Sequence, residues 1–151
     1  MQHSRILPFM LLVGLTACNT NDIIPQTEIQ SIQPVDGATG VSRTTSIEIT
    51  FSEPMDTESC ESRFGLFQGF MEEIPGNMAG TMAGQFQWNK NQSMMTFDPD
   101  SLVDYTMYSI CLQEGLITME GDEDMMSEGM MDHEASVAGG IIATFQTGSS
   151  N

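Results

Sequence analysis

Positive charge is nearly absent: four Lys and Arg residues stand against 21 Asp and Glu in a chain of 151 residues. That imbalance excludes a phosphate-backbone partner, because an acidic surface repels nucleic acid instead of displacing its counterions. Histidine is almost missing too, with only His3 and His133, and there is no G-x-S-x-G run. Nucleophilic catalysis of the Ser/His or Cys/His kind therefore has no constellation to work with. The acidic pairs Glu72/Glu73 and Asp122/Asp124 lie in hydrophilic insertions with no pocket-forming apolar residues around them to shift a pKa, so acid/base chemistry is not expected of them. No C-x-x-C spacing and no D-x-D-x-D-G loop occurs, which leaves out a redox motif and an EF-hand calcium loop. No 3.6-residue apolar stripe of any length is present either, so the pattern does not argue for helices.

What is present begins with one apolar run, Ile6 to Leu15, behind a short segment carrying His3 and Arg5. It is too short to cross ~30 Å of hydrocarbon as a helix and reads as a secretory leader. The tetrad closing it, Leu15-Thr16-Ala17-Cys18, resembles the bacterial lipobox. That resemblance implies a signal peptide over residues 1–17, removed on processing, and a lipidated N-terminus at Cys18. It also implies a membrane partner through the lipid anchor, and with Asn19 in place of an Asp it favours the cell outer membrane. Residues 18–27 are polar, broken by Pro25, and read as a tether. All 21 acidic residues follow Cys18, where only Arg43, Arg63 and Lys90 are basic.

From Glu28 onward the pattern is of short strands between turn residues. Ile47, Ile49 and Phe51 alternate with Ser46, Glu48 and Thr50, which puts the two sets on opposite faces. Further strands are marked by Ile29/Ile32/Val35, Phe64/Leu66/Phe70, Phe86/Trp88, Met95/Phe97, Tyr108/Ile110/Leu112 and Ile141/Ala143/Phe145. About seven antiparallel strands at this spacing argue an all-β sandwich of Ig-like type over residues 28–148, with a tail at 149–151.

The run Pro34-Val35-Asp36-Gly37-Ala38-Thr39-Gly40-Val41, followed by Ile47-Glu48-Ile49-Thr50-Phe51-Ser52-Glu53-Pro54-Met55-Asp56, resembles the bacterial Ig-like domain of the SbsA type. Met95 to Pro99, Tyr108 to Leu112 and Ala143 to Gly148 resemble its later strands. The sequence departs from that pattern at two insertions, residues 71–84 and 114–138. The resemblance implies a non-catalytic structural or adhesive module of the cell envelope, meeting an envelope or surface protein.

Both insertions are rich in methionine: Met78 and Met82 in the first, and Met125, Met126, Met130 and Met131, close to His133, in the second. Neither shows a periodic apolar face, so packing is not the expected role. Thioether and imidazole ligands suit copper, and the surrounding carboxylates suit calcium. Met125, Met126, Met130, Met131 and His133 in the 119–134 stretch are therefore the candidate metal ligands, for an alternative function in copper or other cation binding. With Cys18 acylated, Cys60 and Cys111 form an even pair in an oxidising compartment, which favours a disulfide. Strands running alternately up and down would place both cysteines at one end, together with Glu53, Met55, Asp56, Glu58 and Glu61, and the two methionine clusters at opposite ends.

Overall fold

The computed structural model describes residues 28–119, 134–135 and 139–149. Two four-stranded sheets face each other. The first runs β1 (Ile29–Gln33), β3 (Ile47–Phe51), β6 (Met94–Pro99), β5 (Gly84–Trp88), with antiparallel neighbours throughout. The second runs β2 (Ala38–Val41), β10 (Gly140–Thr147), β7 (Met107–Leu112), β4 (Phe64–Gln68). There β2 and β10 are parallel and the other pairs antiparallel. A two-stranded ribbon, β8 (Leu116–Ile117) with β9 (Glu134–Ala135), completes the ladders. This is an all-β Ig-like sandwich, as the alternation in β3 and the spacing of turns indicated.

The first expected strand, marked by Ile29, Ile32 and Val35, ends at Gln33 and leaves Val35 outside it. A cis Gln33–Pro34 peptide separates β1 from β2, and the chain passes from one sheet to the other at that point. Asp36 holds the crossing in place, its Oδ1 accepting from the Thr144 backbone N–H at 2.8 Å and from the Thr144 hydroxyl at 3.1 Å. The Gly37 N–H then donates to Thr144 O, and Gly37 takes φ +76°, a left-handed conformation that glycine adopts without steric cost.

Between the sheets lies one core. Ile47, Ile49 and Phe51 of β3 meet Phe64 and Leu66 of β4, Met95 and Phe97 of β6, and Tyr108, Ile110 and Leu112 of β7. Phe64, Phe86 and Phe97 form a ring triad with centroids 4.8 to 5.5 Å apart; such pairs contribute about 0.5–1.5 kcal/mol beyond their area burial. Tyr108 stacks on Phe145 at 5.3 Å, while its hydroxyl accepts from the Val103 N–H at 2.8 Å. That tyrosine corner pins the turn before β7 to the sheet. Sequence spacing put Tyr108 in a strand but did not reveal this second role, which depends on a backbone group five residues upstream.

Four elements were not expected, namely β2, β8, β9 and a short helix. Helix α1 (Thr57–Arg63) joins β3 to β4, with Asp56 as its N-cap accepting from the Ser59 N–H at 2.7 Å. Its seven residues make only two turns, too short for a periodic stripe to register. The signal that was available is local: an Asp cap, Glu58 in the first turn and Arg63 in the last, which complement the helix dipole.

Candidate functional site

Two places on the sandwich gather chemistry, and both are built by the insertions. The first is the end where β3 finishes and β4 begins. Met55 is fully buried there and bridges to Thr118, while the Met119 N–H donates to Pro54 O at 2.9 Å. Cys60 on α1 packs with Met55 and Leu116 in the main core. Arg63 Nε donates to Glu114 O at 2.9 Å, and the Gln113 N–H donates to Arg63 O. The roots of the 114–138 insertion are therefore held by α1 and by the segment preceding it, and β8 pairs with β9 to close its base.

The roots of that insertion thus lie beside the segment that carries Glu53, Met55, Asp56, Glu58 and Glu61. Two of the carboxylates there, however, have structural partners. Asp56 caps α1, and Glu61 Oε1 accepts from Trp88 Nε1 at 2.9 Å. Among the described residues no group of three or more His, Cys, Asp and Glu side chains is arranged to hold a metal. Met125, Met126, Met130, Met131 and His133 lie outside the described residues, as does Cys18.

The second place is the outer face of the second sheet. The 71–84 insertion leaves β4 at the far end, where the Gly69 N–H donates to Met107 O at 2.7 Å. It then turns back across the sheet. The Met71 N–H donates to Ser109 Oγ, and Gln113 Nε2 donates to the carbonyls of Pro75 and Gly76. Met78 comes down over β4, the Met82 N–H donates to Leu66 O along the strand's free edge, and β5 starts at Gly84. The segment is a strap. It explains why five of six residues in β7 and four of five in β4 are buried, where a sheet with one wet face would alternate.

Two expectations fail here. Methionines of the first insertion do pack: Met78 is buried with Phe67 and Cys111, with Met71, Ile74 and Ile141 around them, and Met82 lies against the main core. The insertion also does not stay at its own end, since Pro75 and Gly76 reach Gln113, the residue before Glu114, where the second insertion begins. The first insertion is thus not confined to one end of the sandwich, while Met125, Met126, Met130 and Met131 of the second lie outside the described residues. No helical or strand period was needed for burial, because the strap's apolar residues follow the apolar outer face of β4 and β7.

The Cys60–Cys111 disulfide is overturned as well. Both residues are free thiols and both are buried. Cys60 belongs to the core between the sheets, whereas Cys111 faces outward beneath the strap. Along β7, Tyr108, Ile110 and Leu112 point inward, so Cys111 points the opposite way by the two-residue period of a strand. The sheet itself stands between the two sulfurs. Burial pushes the Cys60 thiol up to about 12, helped by Asp56 and Glu61, and the Cys111 thiol up to about 11.

A third feature lies at the end of the sandwich away from α1. Phe70, Val103, Tyr105 and Met107 are four of the six large hydrophobic side chains exposed among the described residues. Phe70 and Tyr105 are 68% and 70% exposed. Tyr105 sits at φ +51°, which is uncommon for a residue with a side chain. Sequence reading took Phe70 as a strand position and passed over Val103 and Tyr105.

The bacterial Ig-like domain model matches residues 23–133. The chain belongs to this family. The matched stretch stops before β10, which the structure nonetheless places in the centre of the second sheet. No curated protein matches the chain. Among solved structures, domains 1–6 of the surface layer protein SbsC match with a TM-score of 0.49 and 15% identity, over 83% of this chain and 14% of that one. The alpha-2-macroglobulin of E. coli matches with a TM-score of 0.50 and 10% identity, over 83% of this chain and 6% of that one. The methionine-rich copper resistance protein PcoC of Escherichia coli matches with a TM-score of 0.48 and 16% identity, over 81% and 98%. The likeness to alpha-2-macroglobulin supports the sandwich fold, and none of the three bears on function. This bacterial Ig-like chain spans a small fraction of the surface-layer structure it resembles.

Proposed function

We propose that the protein is a non-catalytic binding module of the cell envelope, lipid-anchored at Cys18 and meeting an envelope or surface protein through the end of the sandwich remote from the anchor. The observation that carries the reading is the placement of Phe70, Val103, Tyr105 and Met107. β1 begins at Ile29, in register with Phe51 at the α1 end, so the 18–27 tether enters there and the exposed apolar side chains stand at the opposite end. Exposed aromatic and apolar side chains gathered in one region mark interaction surfaces more often than singly scattered ones do. The acidic chain would also be held off anionic lipid, which leaves the far end free to reach a partner.

Two measurements test this. Labelled palmitate should enter the wild-type protein and not Cys18→Ser. A photo-crosslinking residue at position 70 or 105 should trap one discrete envelope protein, and the same probe at Glu58 should not. Equal trapping at both ends would defeat the reading.

A second reading keeps the cation-binding alternative. Ile117 and Glu134 pair in the β8–β9 ribbon, and Met125, Met126, Met130, Met131 and His133 lie between them in the sequence; such a donor set suits copper over calcium. Replacing the four methionines by Leu and His133 by Ala should lower Cu(I) uptake by the intact chain. Unchanged uptake would remove this reading.

A further inference from the structure

Under the strap, three sulfur-bearing side chains share one small cluster: Cys111, Met78 and Met71, enclosed by Phe67, Ile74 and Ile141. Their arrangement follows from a missing side chain. Gly65 stands directly opposite Cys111 in the β4–β7 ladder. The space a side chain would fill there is taken by the Met78 sulfur, 3.2 Å from where a Cβ would stand, and by the edge of the Phe67 ring. Opposed positions on one face of a sheet have Cβ atoms ~4.5–5.5 Å apart, which puts the Met78 sulfur beside the Cys111 side chain. Met71 is fixed over the same face by its N–H bond to Ser109 Oγ at 3.2 Å, two residues from Cys111 along β7.

We propose that Cys111, Met78 and Met71 form a binding site for a monovalent soft cation, Cu(I) or Ag(I), on the outer face of the second sheet. One thiolate and two thioethers match the preference of such ions for soft sulfur ligands. The charge balance suits the apolar surroundings. When the ion binds, the Cys111 S–H bond breaks, a sulfur–metal bond forms and one proton leaves to solvent. The +1 ion and the thiolate cancel, so no net charge is buried. The ion enters already in its +1 state, so no electron is transferred. A divalent ion would bring one positive charge more than the thiolate cancels among these apolar side chains. The site depends neither on the envelope-binding reading nor on residues 119–134.

The test supplies Cu(I) from a bicinchoninate complex, without oxygen, to the full-length protein in detergent. Wild type should take up the ion with release of one proton and develop a thiolate-to-metal charge-transfer band. Cys111→Ser should lose the band. Met78→Leu and Met71→Leu keep side-chain volume and should each weaken binding by about tenfold or more, the order seen when a metal site loses a supporting group. Because the thiol must lose a proton, affinity should rise by about tenfold per pH unit below pH 9. The band should survive replacement of Met125, Met126, Met130, Met131 and His133, whatever copper that loop takes. Persistence of the band in Cys111→Ser, or wild-type affinity in Met78→Leu, would overturn the proposal; the second outcome is readable even if the serine variant does not fold.

Discussion

Residues 71–84 and 114–138 both interrupt the Ig-like pattern and both carry methionine, yet their described parts meet the sandwich differently. The first supplies Met71, Ile74 and Met78 to the outer face of the second sheet and Met82 to the sandwich edge. Only the roots of the second are described, and those roots are core: Leu116 is fully buried and Thr118 bridges to Met55. What separates the two is the surface available to each. β4 and β7 turn Phe67 and Cys111 outward, so a segment with apolar residues at irregular spacing still finds apolar area to cover, at roughly 25 cal/mol per Å². A stretch such as Gly121 to Asp124, with three acidic residues in four, has nothing comparable to bury.

Four measurements bear on that contrast. The largest effect is expected at the root of the acidic insertion. Leu116→Ala, in the core beside Cys60 and Met55, should cost about 3–5 kcal/mol in urea unfolding. A cost below 1 kcal/mol would mean that the ribbon is not part of the core. Next comes the strap. Met78→Ala should cost about 2–4 kcal/mol, and Met78→Leu less than about 1.5 kcal/mol, since volume is kept. Equal costs for the two would point to a role other than packing.

Alkaline titration separates the two thiols. Both have folded-state pKa values raised above 9.0, to about 12 for Cys60 and about 11 for Cys111. The unfolded chain therefore loses these protons first, and stability present below pH 9 should fall as pH rises through 11 to 12. Cys111→Ser should remove about 2 kcal/mol of that loss at pH 11, and alkylation of native Cys111 should speed up when the strap is loosened by Met78→Ala. A flat profile between pH 9 and 11 in the wild type would contradict burial of both thiols. Smallest is the helix cap: Asp56→Ala should cost about 1 kcal/mol in thermal or urea unfolding. A larger loss would show that α1 carries the root of the second insertion as well as its own fold.

Much of the fold was legible beforehand because its cause is local. Ile47, Ile49 and Phe51 alternate with polar residues, and one face of β3 is buried accordingly. The turn residues between strands mark their ends well. Helix α1 was missed because seven residues are too few for periodicity, although its cap and end charges were in view. The strap was missed because Met71, Ile74, Met78 and Met82 have no regular spacing. Their burial depends on the far side of β4 and β7, which the sequence lists elsewhere in the chain.

The cysteines make the division plain. Sequence alone determined an all-β sandwich, a strongly acidic composition and two stretches unlike the strands around them. These follow from composition and from the two-residue period of a strand, which each segment carries within itself. Whether Cys60 meets Cys111 was settled only in three dimensions. Strand order brings both to the same region, but the direction of each side chain depends on register, and one residue of register moves a side chain to the other face. Tyr108, Ile110 and Leu112 took the inner face of β7, so Cys111 was left outside, under a strap whose course no single segment encodes.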